Sequence, residues 1–232
     1  MRTVIKVADR VIDIILFIFF LLLILIGGYT MYDTLLIYNA SDGADLRTYK
    51  PIVVDGEVGW DMSALSDEVV AWLTVDDTSI DYPIMQGTDN SVYLNKDPYG
   101  NYSVSGSIFL DCRNSPDFSD NYSLVYGHHM EYGHMFGVLD EFKDKDYFDN
   151  HRTGTLTVKN TVYDIEFFAC LEADGMTREI FVPDSAEDAM QYAIKHAMIW
   201  YEPKEGKLIA LSTCKFPETT ERTIVFGVID YE

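Results

Sequence analysis

The chain has 232 residues, 48% of them hydrophobic and 14% aromatic, enough to fill the core of one globular domain with an appendage and to exclude wholesale disorder. A net charge of -21 and a pI near 4.4 give a surface that repels phosphate backbones, and without a basic aromatic stripe this excludes nucleic acid as a partner. Three cysteines, Cys112, Cys170 and Cys214, with no C-x-x-C pair, are too few and too scattered for a disulfide framework. Cys112 and Cys170 are expected to be two half-buried thiols in strands rather than a bridge.

From the N-terminus, Arg2, Lys6 and Arg10 precede an almost unbroken apolar run from Ile14 to Tyr32. Nineteen residues at about 1.5 Å each reach roughly 28 Å, the thickness of a bilayer's hydrocarbon. The basic flank predicts a cytoplasmic N-terminus at 1–10 and a transmembrane signal-anchor at 11–32, with the rest outside the cell. A cleaved signal peptide is the alternative, but the run is long and no small-x-small site follows closely. Residues 33–59 are polar and mixed and predict an extracytoplasmic stalk, partly helical, below a domain at 60–232.

Within that domain, Ser66 ahead of Val69, Val70 and Trp72 predicts a short capped helix over 63–73. Short β-like runs then recur between turn signals: Tyr82–Met85, Ser107–Leu110, Leu124–Tyr126, Gly154–Val158 and Val162–Leu171. Such spacing predicts a mainly β fold, a closed barrel or a sandwich. Ser185 is a good N-cap for a helix over Glu187–Tyr201, with Ala189, Tyr192, Ala193, Ala197 and Trp200 as its apolar, core-facing stripe.

The last two runs carry the chemistry. Leu208–Cys214 and Arg222–Phe226 are each apolar and β-branched, and pairing them as a long-looped hairpin sets Cys214 beside Arg222. A thiol beside a guanidinium is a candidate nucleophile with a candidate oxyanion partner. The run Tyr122–Gly127 ends at His128, the acid or base that such a thiol needs. His128, His129 and His134 do not have structural zinc spacing and have no cysteine nearby, so no metal and no cofactor are expected; His129 and His134 are expected as loop residues.

These residues resemble those of the sortases, the Gram-positive cell-surface transpeptidases. The family's T-L-x-T-C signature stands here as Ala210-Leu211-Ser212-Thr213-Cys214, departing at its first position, with Tyr126-Gly127-His128 and Arg222 at the matching histidine and arginine positions. Four further runs look like class B: Asp81 to Asn90, Tyr93-Leu94-Asn95, Gly106 to Asp111, and Met135-Phe136-Gly137. The resemblance covers about residues 60–232. It implies an eight-stranded sortase β-barrel with flanking helices and a site at one barrel end. Cys214, His128 and Arg222 are implied to be catalytic, with Ser212, Thr213 and Tyr126 in the substrate groove.

Three functions follow in order of expectation. The first is transpeptidation of secreted proteins that carry a C-terminal sorting signal, through a thioester, onto an amine. That amine is a peptidoglycan precursor in wall anchoring, the expected role, or a pilin lysine in pilus polymerisation. The second is a cysteine peptidase, disfavoured because no papain-type cysteine motif is present and the histidine precedes the cysteine. The third is a non-catalytic surface binding module, which needs no Cys, His and Arg at three strand ends.

Overall fold

The computed structural model describes residues 2–41, 43–55, 57–214 and 220–231. It forms two compact units, Met1–Ala40 and Ser41–Glu232. The first is helix α1, Arg2–Ser41. Among the described residues it alone is long and apolar enough to cross a membrane: Ile5–Tyr38 reaches a mean hydropathy of 3.0 and buries none of that apolar surface against protein. A helix apolar all round, with none of its apolar window buried, is a candidate membrane span.

The second unit begins with a 3₁₀ turn at Leu46–Tyr49 and a small hairpin of β1 (Ile52–Val54) and β2 (Glu57–Gly59). Leu46 is buried in the main core, so part of the segment expected as stalk is built into this unit. Strands β3 (Val69–Val75), β4 (Asp81–Met85), β5 (Ile108–Leu110) and β6 (Tyr122–Gly127) follow. Helix α2 (Lys145–Asn150) leads to β7 (Thr153–Val158) and the long β8 (Thr161–Asp174). Helices α3 (Arg178–Phe181) and α4 (Ala186–His196), the two-residue strand β9 (Ile199–Trp200), β10 (Lys207–Cys214) and β11 (Glu221–Ile229) complete the chain.

Hydrogen bonding runs β11–β10–β6–β5–β4–β3–β7–β8 and returns to β11, so eight strands close a barrel, with β9 added beside β8. Closure depends on the length of β8: its first half pairs with β7 and its second half with β11. The β8–β11 register shifts at Phe226/Gly227, an irregularity of the kind that lets a strand bend. The barrel interior is filled by Trp72, Ile84, Val125, Phe142, Phe167, Ile209, Leu211 and Val225. The alternate residues Leu208, Ala210, Ile224 and Phe226 face outward and are covered by α3 and α4 through Ile180, Phe181, Ala189 and Ala193. Both faces of β10 and β11 are therefore dry, which explains why they read as unbroken apolar runs.

Three expectations are corrected. Residues 69–75 are strand β3, not the end of a helix: the β-branched Val69, Val70, Thr74 and Val75 favour an extended backbone, and β4 and β7 flank it on both sides. Helix α4 starts as expected, with Ser185 Oγ accepting from Asp188 N at 3.1 Å, but stops at His196; Trp200 lies in β9, paired with Ala169 of β8. Cys170 is a buried strand thiol whose pKa burial pushes up to about 12, whereas Cys112 lies in the turn after β5. Neither is bridged.

Candidate active site

Register alone brings three strand ends together. In the antiparallel β10–β11 pair, Cys214 is the Cα partner of Arg222. In the parallel β6–β10 pair, Thr213 is the partner of Gly127, which sets His128 at the level of Cys214. Residues 215–219 of the loop between β10 and β11 lie outside the described residues.

His128 is held by its neighbours on both sides. Its Nε2 stands 2.8 Å from the Leu94 carbonyl; a carbonyl only accepts, so Nε2 donates and the other ring nitrogen, Nδ1, is left for chemistry. Its own carbonyl accepts from Phe136 N at 3.1 Å, and His129 bridges to Met135, so the Met135-Phe136-Gly137 run folds back on the histidine. The glycine in Tyr126-Gly127-His128 is spatially required, since a Cβ there would lie 2.4 Å from Ile108 Cδ1 and 2.8 Å from the Phe136 ring.

Arg222 lies over two aromatic rings, its guanidinium carbon 5.9 Å from the Tyr126 centroid and 5.5 Å from that of Phe181. Those rings stack on each other at 6.4 Å and 15°. With Asn90, Leu94, Phe109, Arg113, Gly127, His128 and Gly175 they line a pocket of about 280 Å³. Burial, reinforced by the nearby Asp111 carboxylate, raises the Tyr126 phenol well above its ordinary value, so its hydroxyl stays protonated and donates to Asp111.

Of the residues expected in the groove, Tyr126 lines this pocket, while Ser212 and Thr213 are fully buried. Ser212 Oγ has no hydrogen-bond partner. His129 Nε2 lies 3.0 Å from Asp140, whose carboxylate also accepts from Lys143 and Thr223, so His129 belongs to a supporting network. Among the described residues no cluster of His, Cys, Asp and Glu is arranged to hold a metal. Asn90, Phe109, Arg113, Gly175 and Phe181 had no role assigned from sequence. The runs Asp81 to Asn90 and Gly106 to Asp111 contain the first two, but an isolated asparagine or glycine carries no periodic signal.

A model of the Sortase domain matches residues 73–230. The chain belongs to the sortase family. Sortases are cysteine transpeptidases, and the relatives are of class B. Sortase B of Listeria monocytogenes is 35% identical over 179 residues, covering 73% of each chain. A Streptococcus pyogenes class B sortase involved in pilus biogenesis has a structure that superposes with a TM-score of 0.67 at 38% identity, covering 73% of this chain and 96% of that one. The Staphylococcus aureus sortase B–substrate complex superposes with a TM-score of 0.66 at 26% identity, covering 73% and 82%. The eight-stranded barrel is the architecture of this sortase family.

Proposed function

We propose that Cys214 is the sortase nucleophile, His128 its acid and base, and Arg222 the cation that stabilises the oxyanion or holds the substrate backbone. The observation that carries this is the register Cys214↔Arg222 and Thr213↔Gly127, which gathers the three at one barrel end. The Cys214 S–H proton passes to His128 as the sulfur attacks a peptide carbonyl in a C-terminal sorting signal, and the carbonyl oxygen gains negative charge beside Arg222. The C–N bond then breaks, His128 gives a proton to the departing amine, and a thioester remains. An acceptor amine attacks that thioester, loses its proton to His128 and expels the sulfur, leaving a new amide. Tyr126, Ser212 and Thr213 shape the groove, Tyr126 through its ring under Arg222 and the other two by packing the strand that leads to Cys214.

The anchor at 11–32 keeps the N-terminus in the cytoplasm and the domain at 60–232 outside, with 33–59 between them, where secreted substrates emerge. For the acceptor we favour a peptidoglycan precursor, and hence anchoring of proteins to the cell wall. A pilin lysine is the second reading, favoured by the likeness to the pilus-biogenesis enzyme of Streptococcus pyogenes.

Incubating the full chain in detergent with a labelled sorting peptide, with and without an amine, tests the reaction. Thioester capture with amine-dependent product supports it; hydrolysis that ignores the amine, or no capture, contradicts it. For the acceptor, deleting the gene should remove a monomeric wall protein, while loss of a high-mass covalent ladder alone would assign the pilus role.

A further inference from the structure

Asp111, at the end of β5, is a fully buried carboxylate that the catalytic chemistry above does not use. A buried carboxylate persists only when paired and hydrogen-bonded. Asp111 accepts from Arg113 N at 3.0 Å, Arg113 Nε at 2.8 Å, an Arg113 terminal nitrogen at 2.7 Å, Asn90 Nδ2 at 2.8 Å and Tyr126 Oη at 3.0 Å. Burial opposes its ionisation, but the donations from Arg113 and Asn90 outweigh that and hold the carboxyl below its ordinary range.

What these bonds reach matters more than their number. Tyr126 is one of the two rings beneath Arg222. The other belongs to Phe181, whose carbonyl accepts from Arg113 at 2.6 Å. Asn90, the third group fixed by Asp111, lines the same pocket and is itself held by a donation from Cys112 N at 2.7 Å. One ion pair therefore bonds the Tyr126 side chain on β6, the Phe181 backbone on α3 and the Asn90 side chain in the loop after β4, and all three residues surround the Arg222 guanidinium or its pocket.

We propose that Asp111, clamped by Arg113, is a positioning residue of the active site that sets the two-ring platform on which Arg222 lies. The proposal rests on the reading of Arg222 as part of the catalytic machinery. A carboxylate that merely closed a turn would satisfy its neighbours in sequence; this one spans to Tyr126 and, through Arg113, to Phe181.

The test follows Arg222 directly. In the ¹⁵N spectrum of the full chain in detergent, the Arg222 Nε–H is shifted by the ring currents of Tyr126 and Phe181, and Arg222→Ala identifies its signal. Asp111→Asn should move that signal and lower kcat by about tenfold to a hundredfold, with KM changed far less. Arg113→Lys keeps the positive charge, changes the bonding that reaches Phe181, and serves if Asp111→Asn fails to fold; it should move the signal in the same way. An Arg222 signal at its wild-type position in every folded variant overturns the proposal. If the signal moves but Arg222→Ala is fully active, the positioning stands and the catalytic reading of Arg222 is what fails.

Discussion

No side chain fits at Gly175 without displacing Arg222: a Cβ there would lie 2.8 Å from Arg222 Nε and 3.1 Å from the Thr220 carbonyl. Gly175 is not in the left-handed region, so the demand is for space rather than for backbone freedom. Gly175→Val should therefore fold while moving the guanidinium off its rings. A displacement of this kind typically costs about a hundredfold in rate, so kcat should fall on that scale with thermal stability close to wild type. An unchanged kcat would mean that Arg222 does not need this position.

The two adjacent histidines have different surroundings, and their variants should separate. His128 lines the pocket and is oriented by Leu94, whereas His129 joins Asp140 and its network. His128→Ala should cost at least about a hundredfold in turnover, the usual scale for losing a general acid or base. His129→Ala should be mild in rate and cost stability through the Asp140 contacts. Steady-state kinetics on both variants check this, and the reverse ranking would refute the assignment.

Stability should respond to acid through Asp111. Its carboxyl lies below its ordinary value in the fold, so the unfolded chain takes up a proton first as pH falls. The stabilisation from ionised Asp111 is then complete above the unfolded value of about 3.9 and is lost as pH drops below it toward the folded one. Unfolding of wild type and Asp111→Asn across that window should show the wild-type advantage shrinking on acidification. A constant difference would show that the charge of Asp111 contributes nothing to folding.

Much of the site was legible because strands with two dry faces read as continuous apolar runs, and β10 and β11 are such strands. Their pairing follows from proximity in the chain, and it set Cys214 beside Arg222 before any tertiary information. Closure of the barrel was not legible from pattern: nothing in Thr161–Asp174 marks the midpoint where β8 leaves β7 for β11. Strand β3 read as a helix because Ser66 resembles a cap and Val69, Val70 and Trp72 also fit a helical stripe; the competing β-propensity won once two neighbours could pair with it. Trp200 fitted the α4 stripe by spacing alone, although the helix ends at His196. Asp111 and Arg113 were invisible as a pair with a purpose, because what they touch lies on β6 and α3.

The orientation of the anchor has its own test. Protease added to intact protoplasts should remove the catalytic domain and leave the apolar segment behind. Full protection of the domain, or a soluble secreted form lacking residues 1–32, would contradict the signal-anchor reading.

The central claim is that a thioester forms on Cys214, and intact-mass spectrometry of the full chain quenched during turnover measures it most directly. The expected result is an adduct with the mass of the acyl portion of the sorting peptide, mapped to the peptide containing Cys214, released by an amine and missing from Cys214→Ala. The Cys112→Ala and Cys170→Ala chains should retain it. An adduct on another residue, or one that persists in Cys214→Ala, would contradict the account.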